Sequence, residues 1–126
     1  MNHKKRGNTQ LGTWGEQQAA AFLIRLGYEM IGKNFRSGKY EIDIIAHDSD
    51  TDALCFVEVK TRAAGQGSAE RSVKWDKQMR IQKVAFEYCL MKNIDIDRKS
   101  IRFEVVSVYV DKKNSRVRLR KFILPM

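Results

Sequence analysis

Four charged residues stand inside the two stretches of this chain that otherwise read most clearly as β-strands: Glu41 and Asp43 in YEIDIIAH, and Glu58 and Lys60 in CFVEVK. Side chains alternate faces along a strand, so Glu41 shares a face with Asp43, and Glu58 with Lys60. The polar DSDTDA between them reads as a turn, which makes the two strands an antiparallel hairpin. If His47 pairs with Leu54, Asp43 falls opposite Glu58 and Glu41 opposite Lys60, and all four charges converge on one patch. A slip of one residue would send them to opposite faces. Two carboxylates set directly opposite repel each other unless a cation lies between them. Ligands that are all oxygen select Mg²⁺, Mn²⁺ or Ca²⁺ over zinc or copper. A lysine beside such a pair can position a water, help to deprotonate it, or stabilise negative charge on a phosphate. Those are the parts needed to hydrolyse a phosphodiester.

The alternative is an exposed Glu58–Lys60 ion pair worth little, with Glu41 and Asp43 on a wet face. Against it, Ile42, Ile44, Ile45, Leu54, Phe56, Val57 and Val59 put apolar residues on both faces of these strands. That pattern marks central strands in which charge is costly. Glu16 lies about two helical turns before Leu23 and can look toward the sheet as a further ligand, or can sit in the first turn for its dipole. Lys77 shares a stripe with Ile81, Val84 and Tyr88 and either faces the patch or snorkels. Arg36, Lys39, Arg62, Lys74 and Lys77 are candidate phosphate contacts, and Trp75 either stacks a base or packs.

The elements that must position these groups follow from periodicity. Leu11, Trp14, Phe22 and Leu26 recur at helical spacing from Thr9 to Leu26, and Gly27 suits the helix end. YEMIGKNFR is a first strand, and the two charged strands follow it. AAGQGSAERS reads as a loop, and Ile81, Val84, Ala85 and Tyr88 mark the inner stripe of a second helix from Val73 to Met91. SIRFEVVSVYV and RVRLRKFIL, joined by DKKN, complete the set. In the last of these, Arg116, Arg118 and Arg120 alternate with Val117 and Leu119, as in a strand with one basic, solvated face. The order is helix, three strands, helix, two strands: an α/β domain with one mixed sheet of about five strands flanked by helices. Residues 1–8 read as a flexible basic tail and 9–126 as a single domain.

Lysine and arginine number 24 against 15 aspartates and glutamates, a net charge of +9. That balance favours a polyanion such as nucleic acid over a neutral partner. No helix combines a basic face with a bulky apolar one, so a membrane surface is not indicated. Cys55 and Cys89 are far apart and read as buried free thiols of a reducing compartment. With only His3 and His47 beside them, a zinc site is not expected. The basic start has no apolar segment after it, which points to the cytoplasm.

An aspartate, a gap of fourteen residues and then Glu-x-Lys is similar to the PD-(D/E)xK signature of restriction-endonuclease-like nucleases. With GTWGE, NFR, EID, FVEVKTR, KQ and RFEVV in order along the chain, the sequence closely resembles the YraN family of small bacterial proteins. The resemblance implies a restriction-endonuclease-like fold, similar to the archaeal Holliday-junction resolvases. It places Asp43, Glu58 and Lys60 at catalytic positions with Glu16 and Glu41 nearby. It also implies Mg²⁺ or Mn²⁺ held by Asp43, Glu58 and the carbonyl of Val59, DNA rather than RNA as partner, branched or structured DNA as substrate, and a homodimer by analogy. Tyr40 stands where the family pattern has glycine. A nucleic-acid-binding module without turnover, or an interaction subunit of a DNA-processing complex, are the alternative functions.

Overall fold

The computed structural model describes residues 6–63 and 75–125, and side chains from residue 12 onward within them, except that of Trp75. Helix α1 (Arg6–Arg25) leads into β1 (Tyr28–Ser37), β2 (Tyr40–Asp48) and β3 (Ala53–Ala63); α2 (Trp75–Met91) then leads to β4 (Ser100–Asp111) and β5 (Arg116–Ile123). The element order is the one expected from the sequence. Helix α1 begins at Arg6 rather than Thr9, inside the segment read as a tail. Most of the loop after β3, with Lys74, lies outside the described residues.

The five strands form one sheet in chain order, β1-β2-β3-β4-β5. All neighbours are antiparallel except β3 and β4, which are parallel. A parallel neighbour needs a crossover, and α2 supplies it. Both faces of the sheet are covered, so β3 is apolar on both sides from Ala53 to Val57. On one face Ile45, Phe56, Phe103 and Val105 pack against Ile81, Val84, Ala85 and Tyr88 of α2. On the other, Ile44, Cys55, Val57, Val106 and Val108 pack against Ala19, Ala20 and Leu23 of α1. Each large side chain fully buried in this way contributes about 1.5–3 kcal/mol. Cys55 and Cys89 are buried and free, as expected.

The inner stripe of α2 is the expected one, and in α1 Leu23 is buried at the core-facing edge with Trp14 and Phe22 packed beside it. Leu26 is exposed just beyond the helix end, and Trp14 and Phe22 are only half-buried; the residues against the sheet are Gly15, Ala19 and Leu23. Small residues face the sheet because the helix lies close to it. A Cβ on Gly15 would fall on the Oγ1 of Thr61 in β3. This close approach brings the next residue, Glu16, to the rim of the charged patch. Gly27, at φ +95°, ends the turn in the left-handed region.

A second buried charge cluster lies on the α1 side. Glu104 is fully buried; its carboxylate accepts hydrogen bonds from the Tyr28 hydroxyl (2.9 and 3.0 Å), Arg102 Nε (3.1 Å) and Lys121 Nζ (3.2 Å). Arg102 also pairs with Asp48, tying β4 to β2 across β3. Such a fully paired cluster tolerates burial, whereas removing one member strands the rest.

Replacing Gly15 by alanine should destabilise the protein by about 1–3 kcal/mol despite the better helix propensity of alanine. Thermal unfolding should show Gly15→Ala recovering most of that loss when combined with Thr61→Ala. A single Gly15→Ala protein as stable as wild type would contradict the close contact.

Candidate active site

The hairpin register is the expected one over its regular part: His47 pairs with Leu54, and the ladder runs from Asp48–Ala53 to Ile44–Val57. It stops there. The Asp43 carboxylate, not the β2 backbone, accepts the Val59 N–H, at 2.7 Å. A side chain has taken a donor that continued pairing would have used, so β2 and β3 part where the charges begin. N–H and C=O of one extended residue point to the same side of the strand, which directs the Val59 carbonyl toward the same gap.

Asp43 and Glu58 are hydrogen-bonded to each other in this gap. Burial, and then the hydrogen bond and charge of Glu58, push the Asp43 carboxyl up to about 9. Glu58 is also buried, which works against its charge, but the Asp43 hydrogen bond and the Lys77 ammonium hold it below its ordinary range. Lys77 Nζ lies 2.8 Å from Glu58 Oε2. At neutral pH the pair thus shares one proton, on the Asp43 side. Burial and the neighbouring Lys77 bring the Lys60 ammonium down to about 8.

Glu41 departs from expectation. It faces Arg36 (2.9 Å) and Asn34 Nδ2 (2.8 Å) in β1 rather than Lys60. The reason is the tight β1–β2 hairpin: Arg36 is the register partner of Glu41. Asn34, whose φ is +51°, also donates to Glu16 Oε1 at 3.0 Å, so one amide bridges the carboxylates of α1 and β2. Carboxylate oxygens of Glu16, Glu41 and Asp43 lie within 4.8 Å of one another. Asp43 is the common member of this trio and of the pair with Glu58. The donor set is all carboxylate, with one carboxyl kept protonated by its neighbours, and it fits a hard divalent cation. Glu58 stands outside the trio and pairs with Lys77.

Asp43, Glu41, Glu58, Lys77, Tyr40 and Lys39 line a cleft of about 330 Å³ with Arg80 and Ile81. The guanidinium of Arg80 stands 5.2 Å over the Tyr40 ring. Arg62 is half-buried on the same face of β3 as Lys60, and Arg36 is exposed beside Glu41. Sequence reasoning from charge alone passed over Asn34 and Arg80. The NFR motif held the signal for Asn34; nothing local marked Arg80.

The Asp43 carboxyl has a folded-state value above its unfolded one of 3.8, so between about pH 4 and 9 the native state binds the extra proton. Stability therefore falls as pH rises through that window. Asp43→Asn removes this cost. In metal-free buffer it should melt about 3–6 °C above wild type at pH 8, with the difference closing near pH 4. An unchanged or lower melting temperature at pH 8 would contradict the buried pair.

Among the described residues, no helix is long and apolar enough to cross a membrane. The profile of the uncharacterised protein family UPF0102 matches residues 15–108, from Gly15 into β4. A UPF0102 protein of Caldicellulosiruptor bescii is 44% identical over 107 residues, covering 84% of this chain and 87% of the relative. Another, of Syntrophus aciditrophicus, is 42% identical over 115 residues, covering 90% of this chain and 87% of the relative. A third, of Alkaliphilus oremlandii, is 39% identical over 111 residues, covering 87% and 93%. With a match across the motifs that build the cleft and relatives alike over most of their length, the chain belongs to the UPF0102 family, that of the YraN proteins.

Proposed function

We propose that the protein is a Mg²⁺- or Mn²⁺-dependent endonuclease of DNA, acting on branched or otherwise structured substrates, on a restriction-endonuclease-like sheet. The observation that carries this reading is the buried Asp43–Glu58 pair at the point where β2 and β3 part, with a half-buried lysine at Lys60. Asp43, with Glu16 and Glu41 or with Glu58 and the Val59 carbonyl, would hold the cation. When bound, the cation supplies charge neutralisation at the scissile phosphate and acidifies water. Lys60, poised near neutrality at about 8, orients the attacking water and can accept its proton. Lys77 keeps Glu58 ionised and in place. Arg36, Lys39 and Arg62 surround the cleft and would hold the phosphates on either side of the cut. The net charge of +9 draws the polyanion to the surface.

A second reading, strand binding without turnover, is favoured by Tyr40, whose ring lines the cleft mouth under Arg80. The two separate on labelled linear, flap and four-way-junction DNA incubated with Mg²⁺ or Mn²⁺. The wild type should cut at least one of them. Asp43→Asn should lose about 100-fold or more, and Lys60→Gln about 100-fold, with far-ultraviolet spectra unchanged. Full activity in Asp43→Asn would refute the assignment of the site. No product from any substrate would leave the binding reading.

A further inference from the structure

Helix α2 is apolar on two opposite faces. Ile81, Val84, Ala85 and Tyr88 pack on the sheet, and Lys77 reaches the cleft from the same side. At about 100° of rotation per residue, Met79, Lys83, Phe86 and Leu90 fall on the side facing away. Met79, Phe86 and Leu90 are 46%, 39% and 80% exposed and belong to neither core cluster. With Gln82, Lys83 and Glu87 they line a groove of about 470 Å³. All six lining residues are on α2, so the groove lies between ridges of one helix surface. That is the shape into which a ridge of a second helix packs. The stripe has the alternating four- and three-residue spacing of a coiled-coil seam, with Lys83 as its one polar member. Holding α2 on the sheet needs only the inner stripe. A contiguous apolar face rimmed by polar residues marks an interaction surface.

We infer that this face docks a second copy of the chain, α2 against α2, antiparallel about a two-fold axis. Two observations select that occupant. The first is that the stripe matches itself when reversed. Met79 then meets the partner's Leu90, Lys83 meets the partner's Phe86, and both contacts repeat across the axis. A two-fold interface requires this self-complementarity. The second is charge. Reversal brings Lys83 over the partner's Phe86 ring and beside the partner's Glu87, so the one cation of the stripe gains a ring face and a carboxylate. Glu87 accepts a hydrogen bond from Ser37 Oγ, which holds it at the rim of the groove. A parallel pair would instead set Lys83 on the partner's Lys83, and a lone lysine in a seam selects orientation and register in this way. Two chains of net charge +9 repel as wholes and can meet only on a locally neutral face. Lys83 and Glu87 balance this one, and a nucleic acid has no use for it. Because Met79 and Lys77 lie on opposite sides of α2, pairing leaves both clefts open. The inference stands independently of the nuclease reading.

The test is sedimentation equilibrium of the full chain from about 1 to 200 μM, bracketing the dissociation constant on the order of 10 μM expected of so short a seam. Phe86→Gln with Leu90→Gln should weaken self-association about 30-fold or more. Lys83→Glu alone and Glu87→Lys alone should each weaken it about 5- to 10-fold, by setting like charges against each other. An equal mixture of those two proteins, and the double exchange within one chain, should return it to within about 3-fold of wild type. Far-ultraviolet spectra should match throughout, since none of these side chains is in the core. A chain still monomeric at the highest concentration would overturn the inference. So would a dimer indifferent to the apolar double variant, or a mixture no tighter than either single variant. Monomers that bind vesicles of anionic phospholipid, and lose that binding in Leu90→Gln, would give the face to a membrane surface and overturn it as well.

Discussion

The proximity of Asp43 and Glu58 governs the arrangement around it. Two carboxylates cannot both be ionised so close together in the interior, and the structure accommodates them in three ways. Asp43 keeps its proton and takes the Val59 N–H, Glu58 takes the Lys77 ammonium, and the two share a hydrogen bond. Each accommodation has a structural consequence. The Asp43–Val59 bond ends the β2–β3 ladder and opens the cleft. The Lys77 pair fixes where α2 enters the sheet face. The remaining negative charge of Glu16 and Glu41 is steadied by Asn34 and Arg36 from β1.

The sheet around this point is built for rigidity. Apolar side chains cover β3 on both faces, and Glu104, Arg102, Asp48 and Tyr28 tie β4, β2 and β1 together beneath α1. A strained group is held in place only when its supports are stiffer than it is. Gly15 is part of the same support, because the tight seating of α1 on Thr61 is what carries Glu16 inward.

Much of this was legible in the sequence, and the boundary of legibility is physical. Strand alternation and a short polar turn sufficed for the hairpin register, since a slip of one residue would have inverted every side chain. The same logic, carried to the two-residue Gly38–Lys39 turn, would have paired β1 with β2 as well; applied to β2 and β3 alone, it gave Glu41 to Lys60 instead of Arg36 and passed over Asn34. Helical spacing in α1 was read from its large residues, and Leu23 is buried as its place near Glu16 implied, but the close packing of Gly15 and Ala19 on the sheet left no periodic signal. The Glu104 cluster is assembled from residues as far apart as Tyr28 and Lys121, and no periodicity reports a contact of that range.

The most direct measurement of the central claim is titration calorimetry of Mn²⁺ into the protein at pH 7.5, in two buffers of different ionisation enthalpy. If the Asp43–Glu58 site holds a divalent cation, binding should displace the proton on Asp43, with about one proton released per ion, and Asp43→Asn should abolish both the heat and the release. Absence of Mn²⁺ binding, or binding without proton release, would contradict the account.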